Sequence, residues 1–276
     1  MRGALKKESP PPGPPWDQPI AEAALAFVDL EMTGLDAKKD RVLEVCIERV
    51  RGGVVEGRIN TLVRPEDDTL GNVHIHGIDR AALEGAPVFA DLAAEVERLL
   101  DGAVFVAHGA QWDVAFIEAE LRRAGRTDYA VRFWLDTLNL SRRAFGLARH
   151  SLEALRKEFG LDAARAHRAD ADVAALREVF ARCVTALEPV SVRDLWEVRV
   201  AERRVREHVL AQCKEAFEAK QEVTLVYRAR AKPAETLRLV ITAIDLGLDP
   251  PRVIGYQLPG RGRRELRADR ILRIEP

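Results

Sequence analysis

Between Ala23 and Val63 the apolar positions fall into three runs of strand length. In AALAFVDLEM the side chains alternate, placing Phe27, Asp29 and Glu31 on one face and Ala26, Val28, Leu30 and Met32 on the other. RVLEVCIERV and GRINTLVRP lie on either side of Gly52-Gly53, a pair suited to the positive φ of a tight hairpin turn, so the chain is predicted to begin antiparallel. The period then lengthens. Helices are predicted around APVFADLAAEVERLLDG, from Asp113 to Gly125, and near SLEALRKEFG and ADVAALREVFARCV, with a buried strand AVFVA between the first two. A hairpin followed by alternating strands and helices predicts an α/β fold with a mixed β-sheet flanked by helices.

Around LEPVSVRDLW the pattern changes again. Ser191 with Asp194 forms an [ST]-x-x-[DE] start, and Leu195, Val198, Val205, Val209, Cys213 and Phe217 recur on one helical face, predicting a linker helix over 187–220. EVTLVYRA, TLRLVITAIDL, RVIGYQL and RELRADRILRI then predict a small β domain over 221–276. At the other end, six of the fourteen prolines fall between Pro10 and Pro19. That density disfavours helix and sheet alike, so residues 1–20 are predicted to be a disordered lead-in and 21–186 the first folded domain.

Composition narrows the setting. No apolar run approaches the ~18 residues of a membrane span, and MRGALKKESPPPGPPWDQP lacks the apolar centre of a signal peptide, so the expectation is a cytoplasmic protein with no membrane partner. Cys46, Cys183 and Cys213 are odd in number and widely spaced, and are expected to be buried thiols. The net charge of -1 conceals an imbalance, +5 over residues 190–276 and -6 over the remainder. An acidic front half acting on nucleic acid needs metal ions to offset its charge, whereas a basic rear half holds phosphates directly. A solvated surface accounts for the same figures.

The acids of the first strand carry the candidate chemistry. At a rise of ~3.3 Å per residue the Cα atoms of Asp29 and Glu31 lie roughly 6.6 Å apart, so both carboxylates reach a pair of cations separated by about 3.5–4 Å. An edge strand with a wet face explains the two acids equally well. Asp113 follows a buried strand and opens a helix, where a carboxylate is either a ligand or an ordinary partner of the helix dipole. His167 stands five residues before Asp172 in AHRADADVAALREVF, as a capping residue or as a catalyst.

In this order, DxE on a strand, Asp in HGAQWD, and H-x-A-x-x-D before a helix, the motifs resemble the DEDDh group of 3′-to-5′ exonucleases. By pattern they are most similar to the epsilon, or proofreading, subunits of bacterial DNA polymerase III. The resemblance covers about residues 22–185 and includes VHIHGID, LDTLNLSRRAF and SLEALRKEFGL. It implies a ribonuclease H-like sheet in which Asp29, Glu31, Asp113 and Asp172 hold two Mg²⁺ (or Mn²⁺) and His167 deprotonates the attacking water. It also implies that Met32, Thr33, Gly34, Leu35 and Trp112 contact the substrate. The expected activity is metal-dependent removal of nucleotides from the free 3′ end of nucleic acid, with single-stranded DNA favoured and a DNA polymerase or repair complex as partner. An exoribonuclease is the alternative within the same chemistry, since contacts to the 2′-hydroxyl decide between them. Gly109 stands where the family often has Asn, and Trp112 where Phe is commoner, which bears on contacts to the terminal sugar.

From about Gln221 the chain resembles a WYL domain, best in RELRADRI, although the eponymous Trp-Tyr-Leu is absent. On that resemblance Arg228, Arg238, Arg261, Arg263, Arg264, Arg267 and Arg270, with Tyr227 and Tyr256, form a surface for phosphates and bases. A solvated basic face fits them too. From a different class comes a nucleic-acid-binding regulator that uses the nuclease fold as a scaffold.

Overall fold

The computed structural model describes residues 9–67, 69–71, 73–162, 168–196, 198–229, 234–248 and 250–275. The chain divides into two compact units, Met1–Ser141 with His150–Trp196, and Arg142–Arg149 with Glu197–Pro276.

In the first unit β1 (Leu25–Met32), β2 (Val42–Arg51) and β3 (Val54–Leu62) form an antiparallel meander. The turn between β2 and β3 uses Gly52 and Gly53 at φ 55° and 82°, the left-handed values that a primed hairpin turn requires. After α1 (Val73–His76) and α2 (Phe89–Leu100), β4 (Val104–Ala107) joins β1 in parallel. After α3 (Gln111–Arg123), β5 (Trp134–Asp136) joins β4, also in parallel. The sheet order is β3-β2-β1-β4-β5, the mixed sheet expected from the sequence. The remaining helices are α4 (Thr137–Ala144), α5 (Leu152–Phe159), α6 (Ala169–Leu187) and α7 (Val192–Trp196).

Alternation along β1 decides what each face meets. Ala26, Val28 and Leu30 enter a core with Phe89, Val96 and Leu99 of α2 and Phe116, Ile117 and Leu121 of α3. The opposite face packs against α6, where the Phe27 and Phe180 rings meet edge to face at 5.4 Å. That ring pair sets the site. Four residues along β1 from Phe27 is ~13 Å, and eight residues back along α6 from Phe180 is ~12 Å, so Glu31 and Asp172 arrive at the same height.

Residues 9–20 depart from the expected disordered lead-in. Trp16 is buried and packs edge to face against Phe133 at 6.2 Å and Trp196 at 5.9 Å. Arg193 donates to the Pro10 and Pro11 carbonyls at 2.9 and 2.7 Å and pairs with Asp17. Proline forbids helix and ladder there, but it leaves a turn free to be anchored by one large aromatic ring.

The linker helix expected over 187–220 is divided. α6 runs to Leu187, α7 buries Val192 and Leu195 in the first unit, and α8 (Val198–Ala219) belongs to the second. There Val209, Cys213 and Ala216 of α8 share a core with a five-stranded antiparallel sheet, so the helix is part of the domain and not a bare connector. The strands are β6 (Glu222–Arg228), β7 (Ala234–Asp245), β8 (Arg252–Gln257), β9 (Gly262–Arg267) and β10 (Ile271–Glu275), in the order β10-β6-β7-β8-β9.

Tyr227, read from the sequence as a stacking residue, is buried in that core; Tyr256 remains exposed. Several of the arginines are matched locally, Arg238 by Glu222, Arg267 by Asp269 and Arg264 by Gln257. All three cysteines are free and buried, as expected. Among the described residues no helix is long and apolar enough to cross a membrane.

Candidate active site

Asp29, Glu31 and Asp172 come together at the end of β1, each offering a ligand oxygen within 4.8 Å of the others. Asp29 and Glu31 are neighbours on the α6-facing side of β1, and Asp172 is in the first turns of α6. Asp113 enters from the first turn of α3 and is buried. It reaches β1 because β4 pairs with β1 only over Leu25–Phe27, leaving the strand's further N–H groups on that edge without a ladder partner. The Leu30 N–H and its own N–H lie on the side of the Asp113 carboxylate and favour its charged form. It stands outside the trio but within electrostatic reach of Asp29 and Glu31.

So many acids in one poorly hydrated place shift their proton affinities. Burial, followed by the carboxylates of Asp113, Asp172, Glu31 and Glu44, pushes Asp29 well above the usual range. Burial, with Asp172 and Glu44, lifts Glu31 to about 8, against a smaller opposing pull from Arg168. Burial lifts Asp113 to about 8; Asp136 and Glu31 add to it, and the two backbone donors oppose it. A cluster this unfavourable as anions fits divalent cations, and its all-oxygen donor set suits hard ions such as Mg²⁺ or Mn²⁺.

Of the expected substrate contacts, Leu35 (67% exposed) and Trp112 (42% exposed) present large apolar side chains to solvent close in sequence to Glu31 and Asp113. Met32 packs partly against the core. Thr33 is buried, and its hydroxyl accepts from the Arg41 N–H at 3.0 Å and donates to Asp40 at 3.3 Å, so it braces the loop that carries Leu35. Gly34 allows a close approach, but to the Asp40 carboxylate, which a Cβ would meet at 2.4 Å. Gly71, unremarked in the sequence, passes close beneath the same loop: a Cβ there would lie 1.8 Å from the Thr33 carbonyl oxygen. His167 lies outside the described residues.

Three neighbouring residues were missed by sequence reasoning. Glu44 of β2 sits directly opposite Glu31 in the antiparallel register and is buried. It accepts from Arg168 at 3.0–3.3 Å and from the Ala169 N–H at 3.3 Å, and so pins the entrance of α6. Its signal was visible, since an acid inside the apolar run RVLEVCIERV poses the same problem as Asp29 and Glu31. Asp136, at the end of β5, accepts from the Gly109 N–H at 2.9 Å and the Leu138 N–H at 2.9 Å, holding the loop ahead of α3. Arg156, from α5, is buried beside Asp172 at 3.0 Å. In the sequence it looks like one more charge on a solvated helix.

Residues 26–180 match a family model described as an exonuclease, RNase T. The chain belongs to the RNase T exonuclease family. This family is divalent-metal dependent, and the acidic trio lies within the matched span. The chain is 33% identical over 162 residues to the DNA polymerase III subunit epsilon of Treponema pallidum, covering 57% of this chain and 74% of that protein. It is 27% identical over 183 residues to the PolC-type DNA polymerase III of Thermotoga maritima, covering 66% of this chain but only 13% of that much longer protein. The 3′-5′ exonuclease DinG of Bacillus subtilis is 30% identical over 189 residues, 67% of this chain and 20% of that one. Among solved structures the fold is similar to E. coli exonuclease I in complex with single-stranded DNA, with a TM-score of 0.54 at 19% identity, covering 86% of this chain and 55% of that one. The family therefore supports the nuclease resemblance read from the motifs, and its matched residues, 26–180, end before the segment that carries the WYL resemblance.

Proposed function

We propose that this chain is a metal-dependent 3′-to-5′ exonuclease that removes nucleotides from the free 3′ end of single-stranded DNA. The convergence of Asp29, Glu31 and Asp172 within 4.8 Å, inside the family-matched span, is the observation that supports this reading most. Asp29, Glu31, Asp113 and Asp172 are assigned to hold two Mg²⁺ or Mn²⁺. Bound there, such ions offset the charge on the scissile phosphate and make water a competent nucleophile near neutral pH.

The protein supplies the rest. Two of the four acids sit on one rigid strand and the others on the first turns of two helices, so the set is fixed by regular structure and not by loops. His167, five residues ahead of Asp172, is assigned to accept the proton of the attacking water, a role open only to its neutral form. Leu35 and Trp112 are assigned to stack on the terminal bases, which needs no particular base sequence. DNA is favoured because the similar proteins include a polymerase III epsilon subunit and an exonuclease I bound to single-stranded DNA.

The test uses 5′-labelled single-stranded DNA and RNA with Mg²⁺, Mn²⁺ or EDTA. A ladder shortening one nucleotide at a time from the 3′ end of DNA, abolished by EDTA, is expected. Activity in EDTA, or products that begin internally, would refute the proposal, and faster degradation of RNA would move the substrate to the exoribonuclease alternative.

A further inference from the structure

Arg156 has no part in the roles assigned so far, yet it is among the most deeply buried side chains of the protein, with 1% of its surface exposed. Its helix, α5, packs against α6, and the guanidinium passes beneath the first turns of α6. There Nη2 donates to the Ala171 carbonyl, and Nη1 lies 3.0 Å from Oδ1 of Asp172. The Asp172 contact is an ion pair without hydrogen-bond alignment, and Nε has no partner among the described residues. An arginine always carries its charge, and burying one is costly unless an anion receives it. Here the anion is Asp172 itself. Removing the carboxylate strands the guanidinium in a place with little water.

The two contacts also constrain geometry. Ala171 and Asp172 are consecutive, so one planar guanidinium grips both the backbone and the side chain at the point where α6 meets the acidic cluster. The carboxylate is thereby held on the side facing Asp29 and Glu31, although both of those acids repel it.

We infer that Arg156 is a positioning residue for the acidic site: a resident cation that orients Asp172 as a metal ligand and offsets part of the cluster's negative charge before any metal binds. This rests on the metal-site reading above. Outer partners of metal ligands commonly account for 10- to 100-fold of metal affinity. Arg156 adds to that a stabilising effect in the metal-free protein, which an orienting hydrogen bond alone does not give.

The full chain is compared as wild type, Arg156→Met, Asp172→Asn and the double variant, first by thermal unfolding in EDTA and then by titration with Mn²⁺. Asp172→Asn is expected to lower Tm in EDTA by roughly 5–10 °C, because it leaves the guanidinium buried without an anion. The same substitution in the Arg156→Met background is expected to leave Tm unchanged or raised. Arg156→Met is expected to weaken Mn²⁺ binding by about tenfold. An equal fall in Tm on Asp172→Asn in both backgrounds, or wild-type Mn²⁺ affinity in Arg156→Met, would overturn the inference while leaving the metal site standing. Absence of Mn²⁺ binding by the wild type would remove the metal-site reading, and this inference with it. Should Arg156→Met fail to fold, the EDTA melts of Asp172→Asn and Asp29→Asn decide. A fall for the first and a rise for the second supports the inference, and a rise for both contradicts it.

Discussion

Raising the pH should destabilise the metal-free protein, and divalent ions should abolish that effect. Glu31 moves from an ordinary 4.5 to about 8 in the folded chain. At ~1.36 kcal/mol per tenfold change in proton affinity this corresponds to roughly 5 kcal/mol, which partial solvent access to the carboxylate reduces to ~2–3 kcal/mol. Asp113 moves from 3.8 to about 8 and is more deeply buried, but part of its rise comes from Glu31, so together they are worth on the order of 3–6 kcal/mol. The sign follows from proton counting. Between about 4.5 and about 8 the folded state binds more protons than the unfolded state, so stability that is complete at the acid end is lost as the pH climbs through 8. Thermal unfolding in EDTA is expected to show a Tm roughly 10 °C lower at about pH 8 than at about pH 5.5, and Mg²⁺ or Mn²⁺ should close or reverse that gap. A Tm in EDTA that rises across this interval, or a gap insensitive to either ion, would mean that the acids are not the strained cluster described here.

Asp29→Asn and Glu31→Gln should each cost more than ~10²-fold in exonuclease activity yet raise the Tm in EDTA, a combination that a structural pair of acids would not give; steady-state assays and melts on one preparation check it. His167→Ala should lose about 10²- to 10⁴-fold in kcat and flatten a wild-type pH profile that rises through a pKa near ~6.5. A profile unchanged in shape would take the proton-accepting role from His167. Leu35→Ala and Trp112→Ala should raise KM for single-stranded DNA about tenfold each with a smaller effect on kcat, and activity on a dinucleotide should separate stacking from chemistry.

The regular parts of this fold are legible because their patterns are long. β1 announces itself by alternation, β2 and β3 by runs of strand length on either side of Gly52-Gly53, and α2 and α6 by their apolar faces. β5 is not, since three residues, Trp134–Asp136, are too few to show a period, and it is defined by pairing with β4. The same limit explains the lead-in: proline content describes what residues 9–20 cannot form, while the packing of Trp16 against Phe133 and Trp196 depends on residues more than a hundred positions away.

The acids at 29, 31, 113 and 172 were legible through order and spacing, which a family resemblance rewards. Glu44, Asp136 and Arg156 act through partners distant in sequence, which the pairing of β1 with β2, the pairing of β4 with β5 and the packing of α5 on α6 bring near. Arg156 shows the limit well. In SLEALRKEFG the helical pattern marks it as one charge among several, and the fold makes it the buried counterion of Asp172.

Action from a free 3′ end is decided by offering the protein one single-stranded DNA in circular and in linear form, with Mg²⁺ or Mn²⁺. Steady release of mononucleotides from the linear strand, none from the circle, and none from either with Asp29→Asn or in EDTA is the result expected. Cleavage of the circle, or undiminished release by Asp29→Asn, would contradict the account.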